Sequence, residues 1–306
     1  MKISSCGGVI AAANEKFAFP LSKVGNTTAV KRLVTCFQDA GIFPIVVISG
    51  AEEAEVRYQL SSSGVVFLHP EKSEPELFDS VKTGFAFLQD VCDKIMFTPV
   101  NVPLFSPLTL RLLRQAEGEI ISPSYGGKGG HPMLVSTACV PEILAYQGGN
   151  GLRGAVGVLK SRRVWVDVDD PGILYTVRDG DTAGQSVGQH GGEVLRLTVE
   201  MSLKKDVTLF DARAKLLLLL IWKTHSVKAA CEQMALSRSK AWEMLNALEV
   251  SLEAELIERR HGGAKGGRTT LSHQGLTFLR EYQRLEDDLH RYTQGKLDAL
   301  KSFLQL

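Results

Sequence analysis

The chain has 306 residues, of which 44% are hydrophobic and 23% charged, and its net charge is +1. Those values exclude a disordered or fibrous chain and leave length for two domains, each with its own core. With charge so nearly balanced, affinity for nucleic acid has to come from a local basic patch rather than from the field of the whole protein.

The five cysteines, Cys6, Cys36, Cys92, Cys139 and Cys231, are odd in number, widely spaced and set in apolar surroundings, the pattern of reduced core thiols. No apolar run reaches the length of a membrane span, and Met1-Lys2-Ile3-Ser4-Ser5 lacks the apolar stretch of a signal peptide. The expectation is a cytoplasmic protein with no membrane partner.

Cys6 to Ala13 reads as a buried strand and loop, and Thr28 to Ala40 as a helix stopped at Gly41. Then come a strand over Pro44 to Ile48, a helix over Glu52 to Leu60, a strand over Gly64 to Leu68, a helix over Leu77 to Leu88 and a strand over Lys94 to Thr98. This alternation predicts an α/β fold of Rossmann-like type, with a mostly parallel sheet, helices on both faces and ligands outside the carboxyl ends of the strands. Gly126 to His131 offers backbone N–H groups and Lys128 to an anion, or is a plain glycine turn. Asp167, Asp169 and Asp170, beside Pro171-Gly172, read as a solvated strand end or as an acidic metal cluster.

Val9 to Ala13, Pro20-Leu21, Lys23-Val24-Gly25, Phe97 to Pro107, Gly126 to Pro132 and Gly148 to Arg153 give the first 183 residues a resemblance to MobA-like nucleotidyltransferases. It is strongest to the cytidylyl- and guanylyltransferases of molybdenum cofactor. The resemblance implies a nucleotide-diphospho-sugar transferase-like fold and a ligand site at Ala12, Ala13, Lys23, Asn101, Gly127, Lys128, Gly129 and His131. The ligand it implies is CTP or GTP with magnesium, or a molybdenum or pterin compound. Departures fall where catalysis needs the family pattern. Ala13 to Phe19 has no glycine where the family has its phosphate loop, and Asn101 stands in place of a metal-binding aspartate. The family's next aspartate pair falls near Thr176 and Arg178, with Asp179 and Asp181 displaced. No catalytic residue and no metal ligand is assigned.

Gly180 to Gly192 contains five glycines among polar spacers, a linker composition, so the expected division is residues 1–183, a linker at 184–193 and a second domain at 194–306. Val194 to Glu200 alternates as a strand. Ala212 to Trp222 reads as a helix whose run Leu216 to Ile221 is apolar on every face and therefore buried. Ser226 is placed to cap a short helix, Val227 to Met234, and after a turn at Ala235-Leu236 Ser237 caps a third. In that helix Ala241, Met244, Leu245 and Leu248 share one face, opposite Ser239, Glu243 and Asn246, with Lys240 and Trp242 on the flanks. Glu255 to Arg260 and Arg268 to Leu271 pair as strands around His261 to Gly267, which has four glycines in seven residues. Arg259, Arg260, Lys265 and Arg268 make this hairpin basic, the composition of a wing that binds phosphate beside a helix that enters the major groove.

Leu216 to Ile221, His225-Ser226-Val227 with Ala229-Ala230, Ser237 through Trp242, Leu256 to Arg260, Gly262 to Gly267 and Leu271-Ser272 with Gly275 resemble the DNA-binding domain of ModE-type molybdate-responsive regulators. The resemblance implies an α+β winged helix-turn-helix domain contacting double-stranded DNA through Ser237, Ser239, Lys240, Asn246, Arg259, Arg260, Lys265 and Arg268. Ser272 caps a long last helix. Its residues Phe278, Tyr282, Leu285, Leu289, Tyr292, Ala299 and Phe303 form a seam for packing within the domain or for a homodimer. Asn101, Thr176 and Arg178 favour a ModE-type regulator with a small-molecule effector over the alternative, a nucleotidyltransferase that also binds DNA, while a first domain serving only oligomerisation stays open.

Overall fold

The structure is a computed structural model that describes residues 2–13, 19–50, 52–72, 75–177, 200–260 and 268–304. It divides into two compact units, Met1–Gln59 with Phe67–Arg196 and Leu197–Leu306 with Leu60–Val66.

The first unit runs β1 Ser4–Ala12, β2 Lys23–Val24, β3 Thr27–Thr28, α1 Ala29–Asp39, β4 Ile45–Ser49, α2 Glu53–Leu60, β5 Val66–Leu68, α3 Leu77–Leu88 and β6 Cys92–Pro99. It continues with α4 Pro107–Gln115, β7 Ile120–Tyr125, β8 Lys128–Gly129, β9 Met133–Ser136, α5 Val140–Ala145, α6 Gly151–Val158 and β10 Arg163–Asp167. One sheet has the order β10-β7-β9-β6-β1-β4-β5, with β8 added on β7. Strand β1 is parallel to β4 and β6, and β10 is parallel to β7, while β9 runs against both β6 and β7. The apolar runs read from sequence are these central strands, covered on both faces and therefore apolar throughout rather than alternating. Phe37, Phe85 and Phe97 are fully buried against them, each contributing about 1.5–3 kcal/mol of transfer energy. The sequence-derived strand Gly64 to Leu68 is shorter, because Gly64 adopts φ +63 and the ladder starts only at Val66.

The second unit begins, among the described residues, with the ribbon β11 Leu203–Lys204 and β12 Thr208–Phe210, followed by α7 Ala212–Thr224, α8 Val227–Gln233 and α9 Arg238–Leu252. The hairpin β13 Ile257–Arg260 and β14 Arg268–Leu271 precedes α10 His273–Leu304. The expected strand over Val194 to Glu200 lies outside the described residues except at its last position.

The caps form where the sequence places them. Ser226 Oγ accepts from Ala229 N at 3.2 Å, Ser237 Oγ from Lys240 N at 3.2 Å and Ser272 Oγ from Gly275 N at 2.9 Å. Leu216 to Ile221 are all fully buried. Between α8 and α9 the chain turns through Ala235 at φ 52, and Leu236 N donates to Cys231 O at 3.0 Å. Phe210 closes the core against Phe278 and Tyr282, with ring centroids 4.8 and 4.7 Å away. Among the described residues no helix is long and apolar enough to cross a membrane.

Candidate functional site

The strand order reverses direction at β1, from which the chain proceeds outward through β4 and β5 and then returns to β6 on the other side. A crevice outside the carboxyl ends of β1 and β6 is where such sheets hold ligands. Ala12 and Ala13 end β1 there, and Val100 N donates to Ala11 O at 2.9 Å, which brings Asn101 beside them. Gly50 closes against the same loop: a Cβ on it would stand 2.7 Å from Ala13 O. The sequence reading did not single it out, although a glycine directly after an apolar strand was the available signal. Asn101 O accepts from Val177 N at 2.7 Å, so its backbone is engaged while its side chain stays partly exposed.

His131 joins this edge through β9. Its ring meets Phe97 edge-on at 5.7 Å, and its Nδ1 is sealed from solvent with no hydrogen-bond partner. Burial, helped by the Arg163 guanidinium, lowers its pKa to about 4, so it is a neutral imidazole near pH 7. The residue as a whole is only partly enclosed, and it is Nδ1 that is sealed.

Gly126 and Gly127 are the two central residues of a tight hairpin between β7 and β8. Both have positive φ, 55 and 76, the mirror-image turn that suits twisted strands. A Cβ on either would meet nothing within 4 Å. Gly130 N donates to Pro123 O at 3.1 Å and His131 N to Ile173 O at 3.0 Å, so these two N–H groups are spent inside the domain rather than offered to an anion. Lys128 is exposed on β8, and Gly129 lies flat under the Trp165 ring, which a Cβ would approach to 2.4 Å. Lys23 is exposed on the β2–β3 ribbon. The structure therefore gathers Ala12, Ala13, Asn101 and His131 at one sheet edge and puts Gly127, Lys128 and Gly129 on a hairpin.

Comparison with known proteins agrees with this topology. Residues 16–164 match the family described as the MobA-like NTP transferase domain. Residues 16–164 are a MobA-like NTP transferase domain. No curated protein sequence matches the chain. Among solved structures, 4-diphosphocytidyl-2C-methyl-D-erythritol synthase of Anaerococcus prevotii is similar at a TM-score of 0.51 and 11% identity, covering 60% of this chain and 99% of its own. A nucleotidyl transferase of Methanothermobacter is similar at 0.49 and 20%, covering 56% and 91%. The manganese complex of Rv0371C from Mycobacterium tuberculosis is similar at 0.44 and 21%, covering 54% and 89%.

Among the described residues, the donor atoms of the MobA-like domain do not fit a metal on a nucleotide triphosphate. Asn101 offers an amide where a carboxylate would neutralise charge, and amides bind hard divalent cations less strongly. Asp170 has both oxygens engaged: Oδ2 accepts from Ser106 N at 2.8 Å and from the Thr109 hydroxyl, and Oδ1 from Gly172 N at 3.0 Å. It holds the start of α4 against the turn after β10. Asp167 is exposed and accepts from Ser124 Oγ at 3.2 Å, while Asp169 is exposed. Among the described residues, no three of His, Cys, Asp and Glu stand where they could hold a metal. Thr176 is described, whereas Arg178, Asp179, Asp181 and Asn14 to Ala18 lie outside the described residues.

In the second unit, Ser237, Arg238, Ser239 and Lys240 are all exposed on the first turn of α9, with Lys240 Nζ 2.8 Å from Glu243 Oε1. Arg238 was missed in the sequence, though its place directly after the Ser237 cap was the signal. Ala241, Leu245 and Leu248 are buried, and Met244 is only partly so. Arg259 and Arg268 are exposed, and Arg260 faces Arg268 across the ladder. Arg259 folds back on α9: its guanidinium lies 4.7 Å over the Trp242 ring, 3.3 Å from Asn246 Oδ1 and 3.6 Å from Glu249 Oε2. Lys265 lies outside the described residues.

Proposed function

We propose that the chain is a ModE-type transcription regulator acting in the cytoplasm, with a winged helix-turn-helix second unit that reads duplex DNA and a MobA-like domain that senses an effector from molybdenum or molybdenum cofactor metabolism. The observation that carries this reading is the order α8, tight turn, α9 and antiparallel hairpin, with an exposed first turn of α9 and cations on the hairpin. In this reading α9 enters the major groove by its amino-terminal turn, where Ser237, Arg238, Ser239 and Lys240 reach base edges or phosphates, and Asn246 reaches them from about two turns further along the helix. Arg260, Lys265 and Arg268 meet the phosphate backbone.

The MobA-like crevice takes a nucleotide such as CTP or GTP, or a pterin or molybdate, without turning it over. The competing reading, a bifunctional cytidylyl- or guanylyltransferase, is disfavoured by the amide at Asn101 and the structural engagement of Asp170. A homodimer fits a palindromic site, and α10 offers it an unpacked apolar face at Leu285, Tyr292 and Phe303.

The test is binding to a duplex pool as salt is varied. The expected result is a linear fall of log affinity with log salt, and a slope reduced by about one for each of Arg260, Lys265 and Arg268 changed to alanine. A slope that does not move in the triple variant removes the hairpin from the interface. A thermal-shift screen with nucleotides, molybdate and pterins tests the sensor, because only a ligand bound to the native state raises the melting temperature.

A further inference from the structure

Trp242, Asn246 and Glu249 are spaced four and three residues apart on α9 and so share one helix face. The Arg259 side chain, reaching from β13, covers all three: its guanidinium lies 4.7 Å over the Trp242 ring, Nη2 is 3.3 Å from Asn246 Oδ1, and Nη2 is 3.6 Å from Glu249 Oε2. Glu249 is itself fixed, because its Oε1 accepts from Leu256 N at 2.8 Å and Ile257 N at 3.0 Å and so holds the base of the hairpin to α9. An arginine held by a ring face, an amide oxygen and a carboxylate is not a free phosphate ligand.

The chemistry of this contact fixes the orientation of Asn246. Guanidinium is a donor with no acceptor, so the amide must turn its oxygen toward Arg259 and its NH2 away from the hairpin side. Pairing with adenine in the major groove needs both halves of an asparagine amide, the oxygen on N6–H and the nitrogen on N7. One bond from Arg259 leaves the oxygen a second lone pair beside the NH2 group, so the contact fixes which way the amide faces without removing its acceptor.

We propose that Arg259 is a positioning residue that fixes the amide orientation of Asn246 and so sharpens the base preference read through that side chain. The proposal rests on the DNA-reading function proposed above and assigns the specificity of that same surface.

The experiment selects sites from a randomised duplex library with the full-length wild type, Arg259→Ala, Asn246→Ala and the double variant, and measures the salt slope of each. The wild type is expected to show a base preference at the position that Asn246→Ala relaxes, and Arg259→Ala is expected to weaken that same preference without removing it. The salt slope of Arg259→Ala should equal that of the wild type, and the double variant should lose no more preference than Asn246→Ala alone. Trp242 fluorescence, read without DNA, should shift in Arg259→Ala because the ring loses its cation.

Unchanged base preference together with a slope lowered by about one makes Arg259 a phosphate contact and overturns the inference while leaving the DNA-reading function intact. Unchanged Trp242 emission overturns it independently of any DNA. A wild type that binds no duplex overturns the function itself.

Discussion

Lys215, in the first half of α7, is buried within the domain and delivers its ammonium to the carboxylate of Glu286 on α10, with Gln283 Oε1 3.0 Å away. Burial lowers the pKa of Lys215, and the Glu286 charge opposes that shift. The pair pins the long last helix to the core helix beside the aromatic cluster of Phe210, Phe278 and Tyr282. Breaking one partner strands a buried charge, so Glu286→Gln is expected to cost about 3–5 kcal/mol in urea unfolding. The double variant Lys215→Met, Glu286→Leu, which removes both charges, is expected to stay near wild-type stability. A double variant as unstable as the single one would show that the pair contributes more than it costs to bury.

His131 supplies a pH dependence. Its folded pKa is lowered from the ordinary 6.5 to about 4. Between those values the unfolded chain binds a proton that the folded chain does not, so stability falls as pH drops through that window, by on the order of 3 kcal/mol in all. Above the ordinary value the contribution is fully present. His131→Phe keeps the ring contact with Phe97 and has no titrating nitrogen. Its thermal unfolding should lose this part of the acid limb while other groups keep theirs.

The seam of α10 splits into two parts. Tyr282 is buried within the unit and Phe278 packs on Phe210, whereas Leu285, Tyr292 and Phe303 are 51, 65 and 83% exposed. In the proposed homodimer this second part meets its copy. Deleting residues 291–306 is expected to shift the protein toward monomer in sedimentation and to weaken operator binding more than non-specific binding. A truncated protein that remains dimeric would assign dimerisation to another surface.

Magnesium with CTP or GTP and a molybdopterin-type acceptor is expected to give no measurable pyrophosphate release, because a lost metal carboxylate lowers the rate on the order of a thousandfold or more. Asp170→Ala separates the structural role from a catalytic one. It removes acceptors for Ser106 N and Gly172 N and should lower the melting temperature of the domain, at a cost of about 1–2 kcal/mol. Robust magnesium-dependent turnover that disappears in Asp167→Asn or Asp169→Asn, with the fold intact, would return the acidic strand end to catalysis.

The sequence by itself determined the features that depend on near neighbours. Leu216 to Ile221 has no polar face to give to water, so its burial follows from the pattern. Ser226, Ser237 and Ser272 cap helices because a hydroxyl three residues before a free N–H needs nothing from elsewhere in the chain. The run of strands and helices from β1 to β6 was legible because buried parallel strands are apolar throughout. β7 to β10 were harder to read: they are short, interrupted by Pro123 and Gly126 to Gly130, and partly exposed.

Only the tertiary structure decided which partner each polar group takes. A glycine-rich run reads alike as a hairpin and as an anion cradle, and the pairing of Tyr125 with Lys128 shows the hairpin. Asp170 looks like a metal ligand until Ser106 and Thr109, 64 and 61 residues away, engage it. Lys215 sits beside an apolar run, where the pattern gives no sign of an ion pair, because Glu286 arrives from 71 residues further on. Arg259 reads as one of several basic wing residues until the hairpin folds back on Trp242 and Asn246. Local propensity acts over a few residues, whereas satisfying a buried or half-buried polar group is a search through space, and its outcome depends on which segments the fold brings together.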